Sequence, residues 1–168
     1  IKLSHLDEGD ESLQKESIEL YALAEETKES LEKAAEKAHV TMLLTGEPVS
    51  IQGIRQQVNG IVYNLCDNAI KYNHENGHVW ITVKKEGNEA VLVVEDDGIG
   101  IPPEHQERIF ERFYRVDKSH SKEVGGTGLG LSIVKHAVRQ QNGKIELKSE
   151  VGKGTRITVR FYIDFTNA

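Results

Sequence analysis

One cysteine, Cys66, stands in the whole chain of 168 residues. That excludes an intramolecular disulfide and any zinc site built from several thiolates, and it suits a reducing compartment. No apolar run approaches the length needed to cross a bilayer, and no signal peptide is visible at the N-terminus. A net charge of −6 leaves no general excess of cations, so nucleic acid is not an expected partner. Two phosphate-binding signatures are missing as well. No Gly-x-x-x-x-Gly-Lys-Ser/Thr run exists, and Gly126-Thr127-Gly128-Leu129-Gly130 has the wrong third spacing for a dinucleotide fingerprint. What remains is an ordinary globular composition, 38% hydrophobic and 29% charged, at a length that suits one core. The chain begins at Ile1 rather than methionine, and we read it as a piece of a longer protein.

Residues 1–16 are acidic around Asp7-Glu8-Gly9-Asp10-Glu11-Ser12 and read as a linker, leaving residues 17–168 as one domain. From about Tyr21 to Ala38, Leu23, Thr27, Leu31, Ala34 and Ala38 recur at helical spacing. Val40 to Leu44 gives a short strand, ended by Gly46 and Pro48. A second helix is expected from roughly Ile51 to Tyr72, with Ile54, Val58, Ile61, Val62, Leu65 and Ala69 as its apolar stripe. Val79, Ile81 and Val83 then alternate with polar residues, and a Gly87-Asn88 turn leads into Val91-Leu92-Val93-Val94. Residues 115–128 read as a mobile loop, followed by a helix from about Leu129 to Gln141. A last hairpin sets Ile145 and Leu147 opposite Ile157, Val159, Phe161 and Ile163. Helices alternate with hairpins, so the expected fold is α/β: a two-layer sandwich of a mixed, largely antiparallel sheet covered on one face by helices.

Two glycine clusters carry the chemistry, Asp96-Asp97-Gly98-Ile99-Gly100 and residues 125–131. Glycine serves where backbone must come close to a ligand or take positive φ. The second cluster opens into the amphipathic run from Leu131, and a glycine turn feeding a helix leaves N–H groups for phosphate. On the helix before them, Asn64 and Asn68 are four apart and share a face, with Asp67 and Lys71 beside them and Tyr72 four beyond Asn68. Amide oxygens are neutral hard ligands that suit Mg²⁺ alongside water and phosphate, and Lys71 meets phosphate as a point charge. Asp96 ends an apolar strand, where a carboxylate accepts a hydrogen bond from an exocyclic amine such as adenine N6 and repels the guanine carbonyl. Taken singly, each feature also reads as a solvated face or a turn; their combination points to a nucleotide-phosphate site.

These stretches resemble, in order, four boxes of the sensor histidine kinases. Asn64-Leu65-Cys66-Asp67-Asn68-Ala69-Ile70-Lys71-Tyr72 is similar to the N box, and Asp96-Asp97-Gly98-Ile99-Gly100-Ile101-Pro102 to the G1 box. Phe110-Glu111-Arg112-Phe113-Tyr114-Arg115 resembles the F box, and Gly126-Thr127-Gly128-Leu129-Gly130-Leu131 the G2 box. The resemblance implies the Bergerat ATP-binding fold shared with gyrase and MutL. It further implies that Asn68, with Asn64 beside it, holds Mg²⁺, that Lys71 lies near the phosphates, and that these three carry the catalysis. Tyr72 lies near the adenine, Asp96 binds its amine, and Gly98 and Gly100 make room for it, with Ile101 completing the box. Gly126, Thr127, Gly128, Leu129, Gly130 and Leu131 belong to a lid and its hinge. Phe110 and Phe113 would anchor the loop base, while Arg112, Arg115, Lys118 and Lys122 either meet the γ-phosphate or stay solvated. His120 and Asn73 depart from the arginine and the Ser or Thr usual in that family.

Position 64 separates branches of the superfamily. Hydrolysing relatives carry a glutamate there, whereas the Asn64 amide takes no proton at useful pH. That favours transfer to a protein, which needs positioning and charge neutralisation above all. Among seven histidines only His74 is followed by glutamate, and His74-Glu75-Asn76-Gly77 is a turn sequence. The acceptor is therefore expected outside this chain, on a dimerisation and histidine phosphotransfer domain of the same parent protein. A response regulator would act downstream. The domain itself would be cytoplasmic and make no membrane contact, on a parent anchored in the membrane. Two other readings stay open: a nucleotide-gated interaction module that transfers nothing, and a serine kinase of the anti-sigma-factor type.

Overall fold

The structure is a computed structural model that describes residues 14–114 and 130–163. In chain order the elements are β1 (Glu16–Glu19), α1 (Leu20–Ala38), β2 (Thr41–Gly46), β3 (Ser50–Gly53), α2 (Arg55–Lys71), β4 (His78–Glu86) and β5 (Glu89–Asp96). A 3₁₀ turn (Pro103–His105), α3 (Gly130–Gln140), β6 (Lys144–Glu150) and β7 (Gly154–Tyr162) complete the set.

Alternation decides which side of the sheet is covered. Val79, Ile81 and Val83 of β4 are fully buried, while Trp80 between them is exposed. Five strands pair in the order β2-β4-β5-β7-β6, with β2 parallel to β4 and every other pair antiparallel. The β4–β5 hairpin puts Glu86 opposite Glu89 across a two-residue turn, and Gly87 supplies the φ of +60° that such a turn demands. Ile145 faces Val159 and Leu147 faces Ile157 in the last hairpin. The mixed sheet with one helical layer is the architecture expected from the sequence.

α1, α2 and α3 lie side by side on the covered face. Glu19 caps α1 by accepting from the Tyr21 and Ala22 amides at 2.7 and 3.1 Å. His39 ends it in the left-handed region at φ 57°. Along α1 the buried alanines are Ala24 and Ala35; Ala34, expected on the stripe, faces outward. In α2 the expected stripe is buried from Val58 to Ala69, and Cys66 and Ile70 widen it. Burial first, then the neighbouring Asp67 charge, pushes the Cys66 thiol up to about 12, so it packs as a small apolar group.

One boundary differs. Ser50–Gly53 is a strand rather than the first turn of the second helix, paired antiparallel with β1 so that Ile51 stands opposite Ile18. Both isoleucines are buried, and that cross-strand pair outweighs the helical spacing of Ile51, Ile54 and Val58. Glu16 opens β1, while residues 1–13 of the expected linker lie outside the described residues.

Candidate functional site

The polar face of α2 is organised before any ligand arrives. Asn64 donates its Nδ2 to the Gly60 carbonyl one turn earlier, at 2.7 Å. That bond fixes the amide's orientation and turns Oδ1 away from its own helix. α3 begins against this oxygen. A Cβ placed on Gly130 would lie 3.4 Å from Asn64 Oδ1 and 3.7 Å from Asn68 Oδ1. The two amide oxygens, four residues apart in sequence, thus converge on the N-terminus of a third element, whose first N–H groups have no partner within the helix. An anion held there would share the space with two neutral oxygen donors, a set suited to a hard divalent cation that takes its remaining ligands from water and phosphate. Lys71 sits one turn on, in an ion pair with Asp67 at 3.0 Å, so its ammonium is held on the same face of α2.

The strand-end loop is built onto the other end of α2. Asp96 closes β5, and its Oδ1 accepts from the Gly98 amide at 2.8 Å. Gly98 has no room for a side chain: a Cβ would sit 2.5 Å from the Tyr72 carbonyl and 2.9 Å from Asp96 Oδ1. Ile99 donates to the same Tyr72 carbonyl at 3.2 Å, so the loop rests on the C-cap of α2. Gly100, at φ +75°, would drive a Cβ to 2.1 Å from the Glu150 carbonyl. Its freedom is needed for both reasons. Ile101 is half-buried and follows into the β6–β7 side.

Around this loop lies a second set of contacts that sequence spacing did not announce. Asn73 donates Nδ2 to the His78 carbonyl at 2.9 Å, and Asp97 accepts from the His78 amide at 2.6 Å and lies 3.0 Å from its Nδ1. Burial opposes ionisation of Asp97, but the His78 amide and imidazole hold its carboxyl below the usual range. His74 lies in the exposed turn after α2, where the Glu75 and Asp97 carbonyls meet its two ring nitrogens at 3.1 and 2.8 Å and raise its pKa. An exposed helical acceptor it is not.

The segment carrying the expected F box divides unevenly. Ile109 is the buried anchor; Phe110 is half-buried under the Lys135 ammonium, 5.6 Å from its ring centre. Phe113 does not anchor anything. It is 64% exposed, adopts φ 64°, and carries the Arg112 guanidinium 5.7 Å over its ring. Gly126, Thr127, Gly128 and Leu129, with Arg115, Lys118, His120 and Lys122, lie outside the described residues; Gly130 and Leu131 open α3.

Asp96 has an electrostatic signature that yields a test. Burial of the carboxyl pushes its pKa up to about 6, against the pull of the Gly98 and Thr155 amides and with a further push from Asp97 and Glu95. An unfolded chain would release that proton near pH 4. Between those values the folded state binds the extra proton, so this group's contribution to stability is fully present below about pH 4 and lost as pH rises through 6. Capture of an amine donor runs the other way, because it needs the ionised carboxylate. Melting temperatures of the nucleotide-free native chain minus those of Asp96→Asn, followed from pH 4 to 7, are expected to show the first trend, and the corresponding difference in ATP titrations the second. Asp96→Asn removes the Asp96 part of both, while the nucleotide's own titration is common to the two proteins.

Comparison with known proteins places these elements in company. Residues 53–166 match the family described as histidine kinase-, DNA gyrase B-, and HSP90-like ATPase. The chain is similar to the sensor histidine kinase RppB of Synechocystis, at 41% identity over 140 residues, covering 82% of this chain and 30% of that protein. It is also similar to the signal transduction histidine-protein kinase ArlS of Staphylococcus aureus, at 40% identity over 118 residues, 70% of this chain and 26% of that one. Its fold superposes on the nucleotide-free catalytic domain of histidine kinase ThkA with a TM-score of 0.78 at 25% identity, covering 89% of this chain and 95% of that one. The chain spans less than a third of the length of the two curated relatives.

Proposed function

The chain belongs to the histidine kinase-, DNA gyrase B-, and HSP90-like ATPase family, and from that membership we propose that it is the catalytic, ATP-binding domain of a sensor protein-histidine kinase. It binds Mg-ATP between α2 and the strand-end loop and passes the γ-phosphate to a histidine on a dimerisation domain of its parent protein. From there the phosphate goes to a response regulator. The parent is membrane-anchored, with this domain on the cytoplasmic side; among the described residues no helix is long and apolar enough to cross a membrane. The linker between the two halves ends before Glu16, which already belongs to β1, and the catalytic domain follows from there.

The observation that carries the reading is the convergence of Asn64 Oδ1 and Asn68 Oδ1 on Gly130. It puts a metal-compatible donor pair and a phosphate-compatible helix start at one point. Asp96 is anchored where the loop meets the C-cap of the same helix. Counted at 1.5 Å per residue, the α2 positions 64 and 72 are about 12 Å apart along the axis. An extended nucleoside triphosphate can bridge that span, its purine at Asp96 and its phosphates at Asn64 and Gly130.

Each residue then has one task. Asp96 accepts the adenine amine, and Gly98 and Gly100 keep side chains out of the pocket. Tyr72 closes its helix side, and Ile101 the side toward β6. Asn64 and Asn68 would hold Mg²⁺, which when bound supplies neutralisation of charge on the phosphates. Lys71 faces the phosphates as a point charge shared with Asp67. Arg112, Phe110 and Leu131 are assigned to the phosphate end by the resemblance to the F and G2 boxes. With an amide at position 64, no carboxylate base stands there to activate water. Hydrolysis is disfavoured, and transfer to an incoming imidazole relies on placement.

The test supplies a dimerisation domain bearing a phosphoacceptor histidine in trans, with ATP labelled in the γ position. We expect label on that domain that acid removes and base spares. Acid-stable label would assign the chain to the serine kinases instead, and ATP binding without any label would make it an interaction module.

A further inference from the structure

Ile101 is gripped by both of its backbone groups. Its N–H donates to Ser149 Oγ at 2.8 Å, and its carbonyl accepts from Gln106 Nε2 at 2.9 Å. The same Gln106 nitrogen lies 3.1 Å from the Ser149 carbonyl. Ser149 Oγ also reaches the Gly154 carbonyl at 3.0 Å and shares a hydrogen with Thr155 Oγ1 at 2.8 Å. Three segments therefore meet in one knot: the loop that follows Asp96, the β6–β7 end, and the 3₁₀ turn where Gln106 is the C-cap. None of these side-chain bonds belongs to the sheet ladder. They act on a loop whose other backbone anchors lie at Ile99, which donates to the Tyr72 carbonyl at 3.2 Å and accepts from the Gly152 amide at 2.9 Å, while Thr155 opposes Asp96 across the ladder and donates its amide to that carboxyl.

We propose that Ser149 and Gln106 form a clamp that sets the shape of the purine pocket, making them positioning residues for nucleotide binding. The inference rests on the ATP-site reading above. The logic is one of donor and acceptor matching. Without Ser149 Oγ the Ile101 amide loses its acceptor, and without the Gln106 amide two carbonyls lose a common donor. The strand end carrying Asp96 stays in the sheet and Ile99 keeps its bond from the Gly152 amide, but the loop loses its fastening to the hairpin at Ile101. The effect falls on the base end of the nucleotide and spares the amides of α2.

The 168-residue chain is titrated with ATP and with GTP, with and without Mg²⁺, as wild type, Ser149→Ala, Gln106→Ala and Gln106→Glu. Each alanine variant is expected to raise the ATP dissociation constant about tenfold, the worth of one ordering hydrogen bond. The rise is equal with and without Mg²⁺, and the preference for ATP over GTP narrows. Gln106→Glu, which keeps the shape but faces two carbonyls with an acceptor, exceeds Gln106→Ala. The Ile101 amide exchanges hydrogen faster in Ser149→Ala, with the amides of β4 and β5 unchanged. Wild-type affinity in the variants overturns the clamp, and so does a loss of affinity accompanied by faster exchange throughout β4 and β5. A wild-type chain that takes up no ATP overturns the kinase reading and the clamp together. That result is distinct from unaltered variants beside a binding wild type.

Discussion

Asn68→Ala is expected to lower the affinity for ATP in the presence of Mg²⁺ by about 100-fold, the scale seen when a metal site loses a supporting group. Affinity measured in a chelator changes little. The asymmetry follows from the geometry at Gly130. Asn68 Oδ1 is one of two protein oxygens beside the helix start, and among the described residues no cluster of His, Cys, Asp or Glu offers a replacement metal site. Removing one leaves Asn64 alone, held by its bond to Gly60 and unable to swing into the gap. Asn68→Asp retains an oxygen at the same reach and recovers part of the metal dependence, though its charge then faces phosphate. Isothermal titration with and without Mg²⁺ checks the pair. Equal losses in both conditions would remove Asn68 from metal binding and make it a packing residue.

α2 does more in this protein than cover the sheet. Its middle turns present the amides to α3, its last turn presents Lys71, and its C-cap carbonyl receives Ile99. Both ends of the candidate site are thus referred to one rigid element, and the separation between them is set by helix rise rather than by loops. The opposite wall is built differently. It consists of a loop braced by Gly100 against Glu150, by Ser149 and by Gln106, with His78 and Asn73 fastening the turn that follows α2. The same division would suit the proposed site, with its amide end on the helix and its base end on the loop.

Much of this was legible in the chain because it depends on short-range periodicity. Asn64 and Asn68 share a face by helix geometry alone, and Asp96 falls at a strand end because Val91 to Val94 runs straight into glycine. The failures share one cause, which is that tertiary partners decided the outcome. Ser50–Gly53 fits a helical stripe as well as a strand, and only Ile18 across the ladder selects the strand. Phe113 reads as an anchor three residues from Phe110, yet its positive φ turns it outward and Ile109 fills the core position. Gly130 reads as a hinge within a glycine run. That it removes a Cβ from the space between two asparagine oxygens, some 65 residues earlier, depends on how α2 and α3 pack. Ser149 and Gln106 gave no signal at all, because a hydroxyl in a charged strand and an amide in a polar turn are ordinary surface residues until their partners are known.

Asp96→Asn is expected to cost ATP binding about 100-fold and to bring GTP level with it or above. The reason lies in which atom of the new amide faces the pocket. In the native chain Oδ1 is committed to the Gly98 amide at 2.8 Å, and the Thr155 amide also donates to the carboxyl. An asparagine at this position must keep its oxygen toward those N–H donors, since two facing donors repel. Its NH₂ is then the group left for the base. Adenine N6 presents a donor there and clashes electrostatically, whereas guanine O6 presents an acceptor and is received. Losing a charge-assisted bond while gaining a donor–donor contact adds up to about 3 kcal/mol, which is the factor quoted. The pocket's outline is unchanged, so the substitution should leave the fold intact and, by removing a buried carboxylate, raise its melting temperature at pH 7. Competition between ATP and GTP for the variant decides the matter. If the variant discriminates between ATP and GTP by the same margin as the native chain, Asp96 does not read the base, and the strand-end acid serves only to fold the loop.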